Sequence, residues 1–495
     1  MTFFSRLSLQ KKIAFLCTSF YLLYFLLETS WLATTTFHGF YIVIVWLALG
    51  VIFIFPYYLL FVFYLSSQKR CKDILFYSLL AVMLEWGRLY FLSGYPFATL
   101  GLQIADWPFV IPFVRVFGVY GCSYLLFFLV FMLLSFSKDQ WMVYSVCLLG
   151  FFAIVSCLDP ILNPLNPSHK QLKVGFVQPN LQIDQKLFGQ NIDKEPLSVE
   201  EQFERLAFKM KEYVGSSLDC ILFPEGVFYA HLDDYLLYGK DYERVISRII
   251  QKPIQAKKAV LTMQETFAAL ARDFQACMIF GSYRKDEVEK VYNSLVAIQP
   301  NGHLQFYDKR ILVPLGEYLP LRFFQKIAAK YGVHNFFEKG EEKMLTIGSF
   351  SYAPSICYED CFPLLKASQR NLDIDFVLNI TNDGWFLPSR LPKVHAKLAK
   401  IRSIELGIPI VRCCENAYSG VAYPNGEEQF FLQEVESVPV LEIKQIKYTT
   451  LYGKFGESWM LCLGIGLFID SLLRKCKFFS LNLLKNNSFF KFLRF

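Results

Sequence analysis

Apolar residues dominate the first third of the chain in long runs, at 13–27, 40–65, 74–92, 109–136 and 141–158. Each is near the ~20 residues that a helix needs to cross a bilayer. Gly50 and Pro56 are candidate break points inside the second run, which reads either as one long helix or as two short ones. After the Asn163-Pro-Leu-Asn-Pro167 loop the period shortens. Alternation predicts strands at 173–178, 220–223, 277–281, 292–298, 303–307, 351–356, 375–379 and 408–413. Helical spacing covers 198–214, 256–274 and 393–406, and Asn301-Gly302 and Asn425-Gly426 are hairpin turns. Strands alternating with helices predict a layered α/β domain with a buried sheet. One more apolar run, 459–472, follows it. The expected plan is transmembrane helices over 1–160, a linker over 161–171, a water-soluble domain over 172–447, a last span over 457–475 and a tail over 476–495.

Composition agrees with a membrane portion: 54% of residues are hydrophobic and 51 are Phe. The net charge of +7 comes without a Lys/Arg block interleaved with aromatics, so nucleic-acid binding has no support. Thirteen Cys without a CxxC pair or Cys/His ligand spacing indicate neither a metal site nor a disulfide scaffold, and no cofactor motif stands out. Positive charges are placed informatively. Arg6, Lys11 and Lys12 precede the first run, Lys69, Arg70 and Lys72 follow the second and Lys138 follows the fourth, whereas Glu28, His38 and Asp106 occupy the intervening loops. The positive-inside rule then puts the N-terminus in the cytoplasm and residue 160 on the far side, with Arg474, Lys475 and Lys477 back inside. No small-residue cleavage site follows the first run, which reads as a retained anchor. The tail, with Lys485, Lys491 and Arg494 among apolar residues, reads as an amphipathic surface segment.

Three polar residues each close a predicted strand: Glu225 after Cys220-Ile-Leu-Phe-Pro, Lys309 after Phe306-Tyr-Asp, and Cys357 after Tyr352-Ala-Pro-Ser-Ile. Taken singly they read as a loop acid, a surface lysine and a small core thiol. Together an acid, an ammonium and a thiol are the parts of nucleophilic catalysis. Glu317 lies in a proline-bounded loop, and Glu85-Trp86-Gly-Arg88 sets two charges inside an apolar run. Charges at that depth mark either function or a packing pair.

These positions, with Asn379-Ile-Thr-Asn382-Asp383-Gly-Trp385-Phe386, resemble the carbon–nitrogen hydrolase (nitrilase) superfamily. The likeness narrows to the apolipoprotein N-acyltransferase family through the membrane runs, Glu85-Trp86 with Arg88, and Gly94-Tyr-Pro96-Phe. It is carried further by Leu312-Val-Pro-Leu-Gly-Glu317-Tyr-Leu-Pro320, by Ile356-Cys357-Tyr358-Glu359, and by His395 with Arg402, Glu405, Gly407, Pro409, Arg412 and Asn416. The resemblance implies a multi-pass helical membrane domain and an α-β-β-α sandwich with a Glu225–Lys309–Cys357 triad. It implies Glu317 and Glu359 as supports for Lys309, Tyr358 beside the nucleophile, and Tyr318, Phe336-Phe337, Trp385 and Phe386 as substrate or lid candidates. It also implies a bacterial inner-membrane location with the catalytic domain periplasmic, a phospholipid acyl donor and a diacylglyceryl-apolipoprotein acceptor. A membrane-tethered amidase and a non-catalytic lipid-binding protein are the rival readings.

Overall fold

In the computed structural model, residues 8–470 are described except 37–38, 69, 136–137, 167, 169, 182–196, 321–324, 327–329, 331–336, 364–372 and 433–439. The expected tail at 476–495 and Phe336 therefore lie outside the described residues.

The N-terminal portion folds as α1 (Leu9–Glu28), α2 (Tyr41–Ser66), α3 (Cys71–Gly87), α4 (Ile111–Leu133) and α5 (Lys138–Leu162). Among the described residues, three helices are long and apolar enough to cross a membrane: Tyr41–Ser66, Ile111–Leu133 and Met142–Leu162. The helix at 41–66 runs through Pro56 without a break. Helix α3 stops at Gly87 rather than near 92, and Arg88 turns back so that its Nε donates to the Glu85 carbonyl. The Glu85 carboxylate accepts from Tyr21 Oη at 2.7 Å and from Leu100 N at 2.8 Å. A buried carboxylate needs such donors. Here they fasten the loop that carries Gly94 and Pro96 onto the bundle, which is the packing alternative for this charged pair.

Helix α4 contains the sharpest irregularity. Gly118 takes φ 65° and ψ −172°, so the helical ladder is interrupted there. The freed groups find partners outside the helix: Val119 N–H donates to Glu405 Oε1 at 2.7 Å, and Trp459 Nε1 donates to the Phe117 carbonyl at 3.0 Å. Exposed backbone groups at membrane depth must be satisfied in this way. The Tyr452 ring packs against the gap, 2.2 Å from where a Cβ on Gly118 would lie.

The portion from Gln171 onward is built on two six-stranded sheets. With β1 (Gln171–Phe176), β2 (Cys220–Leu222), β3 (Cys277–Lys285), β4 (Val291–Ile298) and β5 (Leu304–Asp308), the first sheet has the order β12-β1-β2-β3-β4-β5, where β12 is Val440–Lys444. The second runs β11-β10-β9-β8-β7-β6, from β6 (Leu345–Ile347), β7 (Phe350–Ile356), β8 (Phe376–Asn382), β9 (Ile410–Glu415), β10 (Tyr418–Ala422) and β11 (Glu428–Leu432). Each sheet has three parallel strands at its centre, β1-β2-β3 and β7-β8-β9, with antiparallel strands outside. Apolar side chains of both sheets, among them Ile221, Ile279, Val296, Tyr352, Leu378 and Val411, share one core. Helices α6 (Val199–Lys209), α7 (Gly239–Ile250) and α8 (Met263–Phe274) cover the first sheet. Helix α9 (Leu391–Leu406) packs on the second through Ala399 and Leu406 against Ala353, Val377 and Ile410. This is the α-β-β-α sandwich.

Several elements differ from the sequence expectation. Residues 256–274 divide into a short strand, Val260–Thr262, and α8, because Val260 and Leu261 pair with the Tyr235–Tyr238 strand and Thr262 with Glu265 forms a capping box. Helix α7 and strands β6, β10, β11 and β12 are additional to it. A last apolar helix, α10 (Ser458–Asp470), returns beside α4. Replacing Gly118 by Ala forces a side chain into a left-handed backbone and into Tyr452, so Gly118→Ala is expected to destabilise the protein by about 2 kcal/mol or more, read as a lowered thermal midpoint in detergent.

Candidate active site

Parallel strands end together, so loops leaving β2 and β7 face one another across the sandwich, and the loop after β5 joins them. Lys309 follows β5 directly, its N–H donating to the Asn293 carbonyl at 2.9 Å as a continuation of the β4–β5 ladder. Its ammonium is buried, with 1% of the side chain exposed. It lies 2.9 Å from Glu317 Oε1 and 3.5 Å from Glu225 Oε1. Asn293 Nδ2 donates to both acids, at 2.7 Å to Glu225 and 2.8 Å to Glu317, and so fixes their spacing. Glu317 also accepts from Val313 N–H at 2.7 Å, which closes the proline-bounded loop around the lysine. Burial opposes the Lys309 charge, but Glu317 and Glu225 outweigh it and hold the amine well above its usual range.

Cys357 follows β7 with φ 49°, a left-handed conformation rare for a residue with a Cβ. Its turn is fixed chiefly by Glu359, which accepts from Ile356 N–H at 2.8 Å, from Arg310 N–H at 2.7 Å, from Ile311 N–H at 3.1 Å and from Tyr307 Oη at 2.9 Å. One carboxylate thus ties the Cys357 turn to the residues that follow Lys309. Burial pushes the Cys357 thiol up, the Glu225 carboxylate adds to this, and the Lys309 ammonium draws it down. The net direction is upward, so the resting group is a thiol that needs a base.

A cavity of about 200 Å³ opens beside Cys357 and reaches α2 and the loops at residues 31–32 and 91–97 of the N-terminal portion. Its wall is apolar: Trp31, Tyr41, Phe91, Tyr95 and Phe97 from the N-terminal portion meet Leu315, Tyr358 and Phe386 from the sandwich. Tyr358 Oη donates to the Gly94 carbonyl at 2.6 Å, and Ser93 Oγ donates to Tyr318 Oη at 2.5 Å, so both portions hold the mouth. Phe386 packs edge-on against Trp31 at 5.1 Å between ring centres, and Trp385 against Tyr229 at 6.3 Å. Phe337 packs on Tyr283 at 5.1 Å.

Behind Cys357 lies a buried polar cluster in which Asn379, Asp383, His395 and Arg412 enter the sequence expectation only as part of the family likeness, without a role. Arg412 bonds Asp383 at 3.0 Å and Asp360 at 3.5 Å, His395 Nδ1 lies 2.8 Å from Asp383 Oδ1, and Asn379 Nδ2 donates to Ser355 Oγ at 3.1 Å. Asn293 and Asn379 have one signal in common: each is a polar residue within an apolar strand. Among the described residues, no group of three or more His, Cys, Asp or Glu could hold a metal ion.

The apolipoprotein N-acyltransferase N-terminal domain model matches residues 1–132, and the carbon-nitrogen hydrolase model matches residues 182–438. The apolipoprotein N-acyltransferase of Shewanella oneidensis is 25% identical over 427 residues, covering 83% of this chain and 76% of that protein. That of Chlamydia caviae is 26% identical over 475 residues, covering 88% and 83%. Among solved structures, a CN-hydrolase superfamily protein from Xanthomonas campestris aligns with 56% of this chain and 91% of its own, at 17% identity and a TM-score of 0.38. With both of its portions matched in their order along the chain, the protein belongs to the carbon-nitrogen hydrolase family, in the branch formed by the apolipoprotein N-acyltransferases.

Proposed function

We propose that the chain moves an acyl group from a membrane phospholipid to Cys357, and from there to the α-amino group of the diacylglyceryl-cysteine that begins an apolipoprotein. The observation that carries this reading is an ammonium bracketed by two carboxylates, close to a thiol at the mouth of an apolar cavity walled in part by the N-terminal portion. In the first half-reaction Glu225 takes the Cys357 proton as the sulfur attacks the ester carbonyl. Charge building on the carbonyl oxygen falls to the Lys309 ammonium and the Tyr358 N–H. Collapse breaks the ester C–O bond, and Glu225 returns its proton to the departing lysophospholipid. In the second half-reaction the lipoprotein amine attacks the thioester, Glu225 takes the amine proton, and the Cys357 sulfur leaves and regains it. Glu317 and Glu359 hold the lysine and the nucleophile turn in register for both halves. An apolar wall with Tyr318, Trp385 and Phe386 at its edge keeps water from the thioester.

Both substrates are lipid-anchored, so the domain over 172–447 belongs at the outer face of a bacterial inner membrane. It is held there by the helices of 1–160 and the span within 457–475, with both termini cytoplasmic. The loop charges support this orientation. Reporter fusions at residues 30–36 are expected to read periplasmic and those at 66–72 cytoplasmic; the opposite pattern contradicts the orientation.

Purified protein given phospholipid labelled in its acyl chain is expected to retain label on Cys357 in a form released by hydroxylamine, with lysophospholipid as co-product. Label kept by Cys357→Ala contradicts the acyl-enzyme, and steady release of free fatty acid without an amine acceptor favours the amidase-like rival. Glu225→Gln is expected to lower the labelling rate by about 10²–10⁴. Lys309→Met is expected to cost about 10²–10³. Stopped labelling time courses on folded variants measure both.

A further inference from the structure

Both nitrogens of the His395 ring face oxygen. Nδ1 is 2.8 Å from Asp383 Oδ1, and Nε2 is 3.3 Å from the Cys357 carbonyl oxygen. A carbonyl oxygen only accepts. Asp383 Oδ2 lies 3.0 Å from the Arg412 guanidinium, which holds the group as a carboxylate, so it only accepts as well. An imidazole with one proton would aim a lone pair at one of these oxygens. His395 is 2% exposed, and water is not at hand to relieve that repulsion.

The charges around it agree. The loop after β8 presents Asp383, β9 presents Arg412, and the nucleophile turn presents Asp360, each essentially buried. Cys357, Tyr358 and Cys361 line the cavity that His395 also lines. Asp383 and Asp360 both face the Arg412 guanidinium, and a cation beside Asp383 is electrostatically favoured there.

We propose that His395 is a positioning residue held as an imidazolium, whose Nε2–H fixes the Cys357 carbonyl and so aims the Tyr358 N–H at the oxyanion. Asn379 Nδ2, 3.4 Å from the same carbonyl, is the second donor. In a trans peptide the N–H points opposite the C=O, so fixing one fixes the other. The left-handed φ of Cys357 is not a conformation the residue keeps unaided, and these two donors add to the restraint that Glu359 places on the turn. The inference rests on the acyl-enzyme reading above for its oxyanion, while the charge on His395 is a property of the resting protein.

The test uses the full chain in nanodiscs with ¹⁵N-labelled histidine and solid-state NMR, the His395 signals being assigned by their loss in His395→Gln. Both ring nitrogens of His395 are expected to carry protons at pH 7, and Asp383→Asn is expected to move loss of the second proton to lower pH. Single-turnover acylation of Cys357 by labelled phospholipid is then followed against pH. The wild-type rate is expected to fall through the pH at which His395 loses that proton. His395→Gln is expected to acylate about 10- to 10²-fold more slowly, without that step and with unchanged half-saturation by phospholipid. A singly protonated His395 at pH 7, or a His395→Gln protein with the wild-type rate and pH profile, overturns the proposal. A wild type that forms no thioester defeats the acyl-enzyme reading and with it the oxyanion role, and the NMR arm still decides the charge.

Discussion

The buried Lys309 ammonium is the constraint from which the rest of the site follows. A charge with 1% of its side chain exposed persists only where opposite charge and hydrogen bonds replace water. Glu317 and Glu225 supply the charge, and Asn293 holds the two acids apart at a spacing that admits the lysine between them. Taking away one partner of such a group costs about 3–5 kcal/mol. The arrangement therefore binds three loops from distant parts of the sequence into one unit. It also leaves Glu225 with an oxygen near the lysine while its charge is felt at the thiol, which is where a base has to act.

The membrane portion reaches the same unit through a chain of contacts. Glu85, bonded to Tyr21 and to Leu100 N–H, secures the loop of residues 93–100, and that loop's Gly94 carbonyl receives the Tyr358 hydroxyl next to the nucleophile. A Cβ on Gly94 would lie 2.3 Å from the Phe362 ring, so the approach leaves no room for a side chain. On the far side, Glu405 of α9 caps the break in α4, and Arg402 pairs with it at 2.7 Å. The sandwich is seated on the helices at both ends of α9, and the apolar cavity is the space between the two portions rather than a feature of either.

Much of this was legible in the sequence because the candidate catalytic groups sit where strands stop. Glu225, Lys309 and Cys357 each close an apolar run, and a polar residue at that position is conspicuous. Glu317 was marked by the prolines around its loop. Asn379 entered only as part of the family likeness, and Asn293 was not legible: inside a strand, alternation makes an inward polar residue look the same as an outward one until the second sheet is in place. The strand at Val260–Thr262 was hidden because its partner, Tyr235–Tyr238, is local only in space. Helix α7 did carry a signal, with Tyr242, Val245, Ile246 and Ile249 buried at helical spacing. Pro56 misleads in the other direction, since packing by neighbouring helices carries α2 past a residue that would break a free helix.

A cryo-electron microscopy map of the acyl-enzyme, trapped with phospholipid in the absence of an amine acceptor, tests the central claim most directly. The account predicts continuous density from the Cys357 sulfur along Trp31, Phe91 and Phe97 toward the bilayer, with the thioester oxygen beside the Lys309 ammonium. An acyl chain leaving Cys357 toward the solvent face of the sandwich, or a thioester oxygen out of reach of Lys309, would contradict it.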